Sequence, residues 1–387
     1  MSSTHQGRGQ PAVVVVGAGI IGLTCALRLE DSIKNLSPQA KPLVLLVAKE
    51  WPTSIPGVPL GHSVDYASMW AGAHVRPIPA TTPQLKREAK WLKQTVAELG
   101  RQVDAQPWLG ITRTPGIEFL EAPDEGYRLQ NHESFSQESG LPGFRILTPS
   151  ELPKDVVLGF EYETYCINAP VYCRSLLRKF VLQGGKTVNR TLASEWEIFS
   201  LPFDVKFVIN ASGNGFGKDP KCFPIRGQTV VTDLEPAMKT VTRQLKDGSW
   251  SFIIPRFFHG GTIVGGTKEL GDWRHEPDMA TRNRLLKNGQ TLVSHATGQS
   301  TLNGQADRRT LGVIADVVGR RPAREGGMRI ELETRTVTSR PGEEREAHTI
   351  HAYGAGGRGY EIGWGVADEV MELAAPFLEG LRSGAKL

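Results

Sequence analysis

The sequence predicts an α/β fold in which a Rossmann-like parallel sheet, assembled from separate stretches of chain, is interwoven with an α+β lobe carrying an antiparallel sheet. Three observations point there. Four consecutive valines, Val13 to Val16, run into a glycine turn and then a helical stretch, and an apolar strand without alternation is the kind buried on both faces of a parallel sheet. A second apolar strand enters a small-residue turn much later, in the stretch from Val205 to Gly215. Between Gln228 and Gly304 lie short strand-like pieces (TVVTDL, SFIIPRF, GTIVGGT) separated by turn residues, which suggests antiparallel pairing.

The elements follow in order. Gly17-Ala18-Gly19-Ile20-Ile21-Gly22 comes directly after the valines, then LTCALRLEDSIKNL with helical spacing, then the buried strand PLVLLVAKE. This is a βαβ unit with a dinucleotide turn. Gly17 makes the bend, Gly19 lets backbone N–H groups, with those of Ile20 and Ile21, approach a pyrophosphate, and Gly22 lets the helix pack closely on the strand. The second strand ends in Ala48-Lys49-Glu50, so Lys49 and Glu50 are candidate ribose contacts, although Glu50 is not a clean acidic ligand. From about Pro79 to Pro153 the text changes to an amphipathic helix (QLKREAKWLKQTVAELG) and loops rich in Gly and Pro. PVYCRSLLRKFVLQGG is helical again and leads to the Ala211-Ser212-Gly213 turn. The closing stretch from His348 is a strand, a glycine loop and a helix expected to start near Gly365. The expected division is 1–78, 155–228 and 310–387 for the dinucleotide domain, and 79–154 and 229–309 for the substrate domain.

Composition narrows the function. The chain has 387 residues, enough for two lobes. Lys and Arg total 45 against 41 Asp and Glu, and the charges are scattered, so no basic stripe predicts a nucleic-acid partner. No apolar run approaches the roughly 18 residues of a membrane span. The four cysteines, Cys25, Cys166, Cys173 and Cys222, show neither CxxC spacing nor nearby His pairs, so no metal site or disulfide scaffold is expected and a reducing compartment fits. No signal-peptide segment is read before the first strand. The chain ends Ala385-Lys386-Leu387, close to the Ser-Lys-Leu address of the peroxisomal matrix, which predicts a peroxisomal import receptor as partner.

Five ordered motifs, VVGAGIIGLTCALRL, NASGNG with Arg226-Gly227-Gln228, GGTKELGDW, GRRPAR and HAYGAGGRGYEIGWG, together resemble the D-amino-acid oxidase and D-aspartate oxidase family of flavoproteins, and the likeness covers nearly the whole chain. The resemblance implies extended FAD. It places Gly17, Gly19, Ile20, Ile21, Gly22, Lys49, Glu50, Ser68, Gly72, Leu192, Ser212 and Gly213 along that cofactor, with Arg321, Gly354, Gly356, Gly357, Gly359, Tyr360 and Glu361 around the flavin. A loop without Cβ atoms suits a flat ring, and N–H groups with a helix N-terminus favour the anionic edge of a reduced flavin.

Within Gly319-Arg320-Arg321-Pro322, the resemblance makes Arg321 the fork on the substrate α-carboxylate, for which a guanidinium supplies two parallel hydrogen bonds. The family's tyrosine at this carboxylate is replaced by Phe252, unless Tyr360 or Tyr66 compensates. Lys246, before Asp-Gly-Ser, and Lys268, after Gly-Gly-Thr, stand where the aspartate oxidases commonly carry arginines, and His74 and Arg76 are expected to add positive charge at the pocket mouth. An apolar pocket with a cation favours a dicarboxylic substrate. The implied reaction passes hydride from the substrate Cα–H to flavin N5. The imino acid then hydrolyses to a 2-oxo acid and ammonia, and O₂ is reduced to H₂O₂. D-Aspartate is the expected substrate, D-glutamate and homo-oligomerisation stay open, and the alternatives are a broad D-amino-acid oxidase and a non-catalytic flavin- or NAD-binding protein.

Overall fold

The computed structural model describes residues 9–37, 40–52, 61–298, 311–340 and 343–383. In chain order the strands are β1 (Pro11–Val16), β2 (Leu43–Ala48), β3 (Ile111–Leu120), β4 (Arg145–Ile146), β5 (Leu158–Ile167), β6 (Lys186–Asn189), β7 (Asp204–Asn210), β8 (Cys222–Thr232), β9 (Thr240–Gln244), β10 (Trp250–Pro255), β11 (Thr262–Gly265), β12 (Glu269–Leu270), β13 (Val313–Arg324), β14 (Arg329–Arg340) and β15 (Glu343–Tyr353).

Among the described residues these strands form two sheets. The first has the order β14-β15-β7-β1-β2-β6. It is parallel from β15 to β6, and the β14–β15 hairpin adds an antiparallel edge. The valine run explains its centre. Val13 and Val15 enter the core beneath the helices, while Val14 and Val16 enter a second apolar cluster on the other face, so neither side of β1 reaches water. Helix α1 (Ile20–Ile33) covers one face beside the C-terminal helix (Gly359–Ser383).

The second sheet runs β12-β8-β11-β10-β9-β3-β5-β4, with β13 on the other edge of β8. Its pairs are antiparallel except β3 with β9. After the short helix α2 (Ala67–Trp70), helix α3 (Pro83–Ala105) is the amphipathic helix read from sequence. Thr82 caps it, accepting from Leu85 N–H, and Pro83 fills its first turn, where a missing N–H costs nothing.

β5, β8 from Cys222 and β13 lie in the second sheet, within the stretches 155–228 and 310–387 that were expected in the dinucleotide domain. Their apolar residues alternate enough for either sheet, and only pairing partners far away in sequence decide between them. The C-terminal helix begins at Gly359, six residues before the expected start at Gly365. The Ala385-Lys386-Leu387 tripeptide lies outside the described residues.

The chain crosses between the sheets at one place that matters. β13 ends at Arg324 and β14 begins at Arg329, and Ala323 bridges back to Ala355 in the glycine loop after β15. Arg321 is therefore carried by the second sheet to the glycine loop of the first.

Candidate active site between the two sheets

The dinucleotide end is built from turns that only glycine permits. Gly17 has φ +103°, and a Cβ there would sit 2.3 Å from the Ala211 carbonyl oxygen, while one on Gly22 would lie 1.8 Å from the Gly17 carbonyl oxygen. Gly19 caps α1 without any side-chain hydrogen bond. Ser68 Oγ accepts from the Ile20 N–H at 3.0 Å, which brings the expected Ser68 to the start of that helix. The C-terminal helix starts beside it: a Cβ on Gly359 would be 3.0 Å from Ile20 Cγ2, and Thr24 Oγ1 donates to the Gly363 carbonyl at 3.1 Å. Two parallel helices thus begin side by side, with positive dipole ends together.

Across the β7 end, Ser212 N–H donates to Asn210 Oδ1 at 3.1 Å, while Ser212 Oγ is buried without a partner. An orphaned hydroxyl beside a helix start whose N-cap is a glycine, and beside a Cβ-free turn, fits a phosphate-bearing nucleotide. Further out, Glu50 accepts from Ser63 N–H and Oγ at 2.7 and 2.8 Å, Lys49 is exposed, and Leu192 is half-buried in the apolar cluster under β1 and β2. The Glu361 carboxylate is engaged by Arg358 Nε at 2.6 Å and Arg76 N–H at 3.2 Å, with burial pushing its pKa up against the pull of Arg358.

The other wall is one face of the second sheet. Val231, Ile254, Ile263 and Val317 form an apolar cluster there with Trp70 and Phe252 packed against it. Glycines open this face: a Cβ on Gly227 would fall 2.4 Å from Arg321 Nη2, and one on Gly265 would fall 2.4 Å from the Phe252 ring. Ile254 in turn meets Gly72, where a Cβ would lie 2.9 Å from its Cδ1.

Arg321 Nη1 donates to the Thr267 carbonyl at 3.2 Å, its Cδ lies 3.3 Å from where a Cβ on Gly357 would be, and no described carboxylate pairs with it. Burial pushes its pKa below the ordinary value, with Glu269 pulling the other way. Glu269 itself pairs with Arg226. A buried guanidinium holding one carbonyl is set for a further anion.

Several expected residues do not contribute as read. Phe252 is on the pocket face, but neither tyrosine replaces its missing hydroxyl: Tyr66 donates to the Ala18 carbonyl at 2.6 Å and Tyr360 to the Ser68 carbonyl at 2.7 Å. His74 brings no positive charge, because burial and the Arg76 cation lower its pKa to about 3 and its Nδ1 lies 2.7 Å from Thr240 Oγ1. Arg76 is neutralised by Glu118, with Nε to Oε2 at 3.0 Å, and stacks on Trp250. Lys268 is exposed, and Lys246 is 68% exposed and 3.7 Å from Asp155. Lysines at the ends of hairpins keep their ammonium groups in water while their stems lie on the protein.

Two residues were missed. Arg256 is buried, donating from Nε to the Gly72 carbonyl and from Nη2 to the Ala71 carbonyl, both at 3.0 Å, and burial lowers its pKa to about 10. Thr229 is 7% exposed with an unpartnered Oγ1. Nothing in the text sets either apart, because a lone Arg after Pro or a lone Thr in a strand carries no motif. The alternation of β8, with Gly227 facing the cleft, was the only available signal for Thr229.

A nucleotide cradle on a parallel sheet, facing an apolar sheet surface beside a buried guanidinium, is the arrangement of a nucleotide-dependent oxidoreductase. The chain belongs to the FAD dependent oxidoreductase family (DAO), whose model matches residues 12–373. It is 42% identical over 370 residues to a D-aspartate oxidase of Talaromyces thermophilus, covering 94% of this chain and 95% of that one. A D-amino-acid oxidase of Fusarium vanettenii is 31% identical over 382 residues, covering 93% and 96%. Among solved structures, glycine oxidase from Geobacillus kaustophilus superposes with a TM-score of 0.64 at 17% identity, covering 95% of this chain and 98% of that one, a likeness of fold. FAD is the cofactor, and the orphaned Ser212 hydroxyl, the Gly17–Gly22 turn and the glycine loop are the residues that would hold it.

Proposed function

We propose that the protein is a D-aspartate oxidase: it oxidatively deaminates acidic D-amino acids to the 2-oxo acid, ammonia and H₂O₂. The observation that carries this reading is Arg321, a buried cation without a carboxylate in the pocket of a chain so similar to a D-aspartate oxidase. FAD, when bound, supplies the hydride acceptor and the route to O₂.

The protein's own residues position the substrate. Arg321 pairs with the α-carboxylate and fixes the orientation of the substrate, while the wall of Phe252, Ile254 and Trp70 excludes water and strengthens that pairing. No described group in the pocket is poised as a strong base. His74 is held neutral but tied to Thr240, so the substrate enters with its amino group neutral and no side chain removes the Cα proton.

The acidic side chain is the less constrained end. Lys268 is exposed to water, so selectivity rests on long-range attraction more than on a buried pair. The reading extends to a discontinuous FAD domain of residues 1–78, 155–228 and 310–387 around a substrate domain of 79–154 and 229–309. It also extends to the peroxisomal matrix by way of the Ala385-Lys386-Leu387 tail and an import receptor, where peroxide is made beside its scavengers, to D-glutamate as a second substrate, and to a homo-oligomer. Peroxide release from D-aspartate and from D-alanine by the purified yellow protein tests the activity, and a D-alanine preference would favour a broad D-amino-acid oxidase instead.

A further inference from the structure

Both tyrosines near the cleft have committed their hydroxyls, and Phe252 has none, so the pocket face around Arg321 looks short of neutral donors. One hydroxyl on that face has no partner. Thr229, on β8, is 7% exposed, and its Oγ1 is buried without any hydrogen bond. Buried polar atoms in folded proteins are nearly always bonded, so an orphan on the sheet face that carries Phe252 and lies beside Arg321 points to a ligand.

Its place is well defined. Gly227, two residues earlier on the same face, lies under the Arg321 guanidinium, with 2.4 Å from its would-be Cβ to Nη2. Thr229 stands opposite Gly265 on β11 and Val317 on β13. A Cβ on Gly265 would be 2.8 Å from Thr229 Cγ2 and 2.5 Å from Phe252 Cζ, so the threonine methyl and the phenyl ring share the space that glycine leaves. Thr229 therefore sits between Arg321 and Phe252. Two residues along a strand span about 7 Å, close to what a carboxylate covers with a hydrogen bond of roughly 2.8 Å at either end. Ser251 Oγ is also unpartnered, but it alternates with Phe252 and faces, with Ile253, the core behind the sheet.

We propose that Thr229 Oγ1 donates a hydrogen bond to the substrate α-carboxylate beside the Arg321 guanidinium, and so sets its binding geometry. The assignment rests on the reading of the protein as an oxidase of D-amino acids. It gives Phe252 a purpose: the ring packs the threonine methyl and holds the side chain in one rotamer.

Thr229→Val keeps the shape and removes the hydroxyl. The FAD-loaded parent and variant are titrated with succinate, which is D-aspartate without its amino group, reading the flavin absorption band, and assayed for D-aspartate oxidation. Succinate Kd and D-aspartate KM rise about three- to tenfold in the valine variant. Its flavin content is unchanged and its Tm is equal or higher, because an unbonded buried hydroxyl has gone. Thr229→Ser restores binding to within about twofold. A valine variant that binds both ligands as the parent does, or a serine variant as weak as valine, overturns the assignment. Should the parent neither bind succinate nor oxidise D-aspartate, the acidic-substrate reading has failed instead. The same variants are then compared on propionate and D-alanine, where a matching loss upholds Thr229 and unchanged binding overturns it.

Discussion

At Arg321 a guanidinium has been drawn out of water and left with one backbone carbonyl, so its free energy improves when a carboxylate arrives. Arg321→Ala should leave a folded, flavin-loaded protein with kcat/KM for D-aspartate lowered by about 3–5 kcal/mol, roughly two to four orders of magnitude, as expected for a lost charge-assisted pair. Steady-state kinetics beside a flavin spectrum check it, and near-normal activity would remove Arg321 from the substrate site. The lysines belong to the opposite regime. Lys268 is solvent-exposed, so Lys268→Met should reduce the preference for D-aspartate over D-alanine by no more than about fivefold, and Lys246→Met by less, because Lys246 already faces Asp155. Selectivity ratios for the two variants measure this. Arg321 was legible in the sequence because its glycine and proline neighbours mark it. Thr229 and Arg256 were not, since what distinguishes them is burial, of Thr229 without a hydrogen bond at Oγ1 and of Arg256 on backbone carbonyls alone, and burial is a property of the paired sheet.

The opening βαβ element could be read almost residue by residue, because β1 is an apolar run without alternation, Gly17 needs a positive φ and Gly22 needs contact with the Gly17 carbonyl. The last helix was misread for a related reason. Gly363 and Gly365 suggest a loop, since glycine lowers helix propensity by about 1 kcal/mol relative to alanine. In the fold they are contact points: a Cβ on Gly365 would lie 2.4 Å from the Trp91 Cα and 2.4 Å from its carbonyl oxygen on α3. The glycine trades propensity for a close helix crossing. Gly365→Ala should therefore lower Tm despite alanine's better propensity, because main chain cannot swing aside as a flexible side chain would. A thermal melt decides it, and a raised Tm would mean that the two helices separate easily.

Over the whole molecule the parallel and antiparallel halves were predictable, but their seam was not. β8 and β13 pair along eleven residues of β8, from Cys222 to Thr232, across a gap of some eighty residues of chain, and β13 is what delivers Arg321 to the glycine loop. Alternation of apolar residues fixes which face of a strand is buried, not which strand lies beside it. That is also why positive charge was expected at His74: only the fold shows it enclosed beside Arg76, with Glu118 neutralising Arg76. The resulting site has an anion anchor at its dry end, while the two lysines stay in solvent. The most direct test of this account is kcat/KM for D-aspartate against D-alanine, with anaerobic bleaching of the flavin by each. D-Aspartate should bleach the flavin at low concentration and be oxidised with a clear kcat/KM preference. A protein that is colourless, or one that oxidises D-alanine as well as or better than D-aspartate, would contradict it.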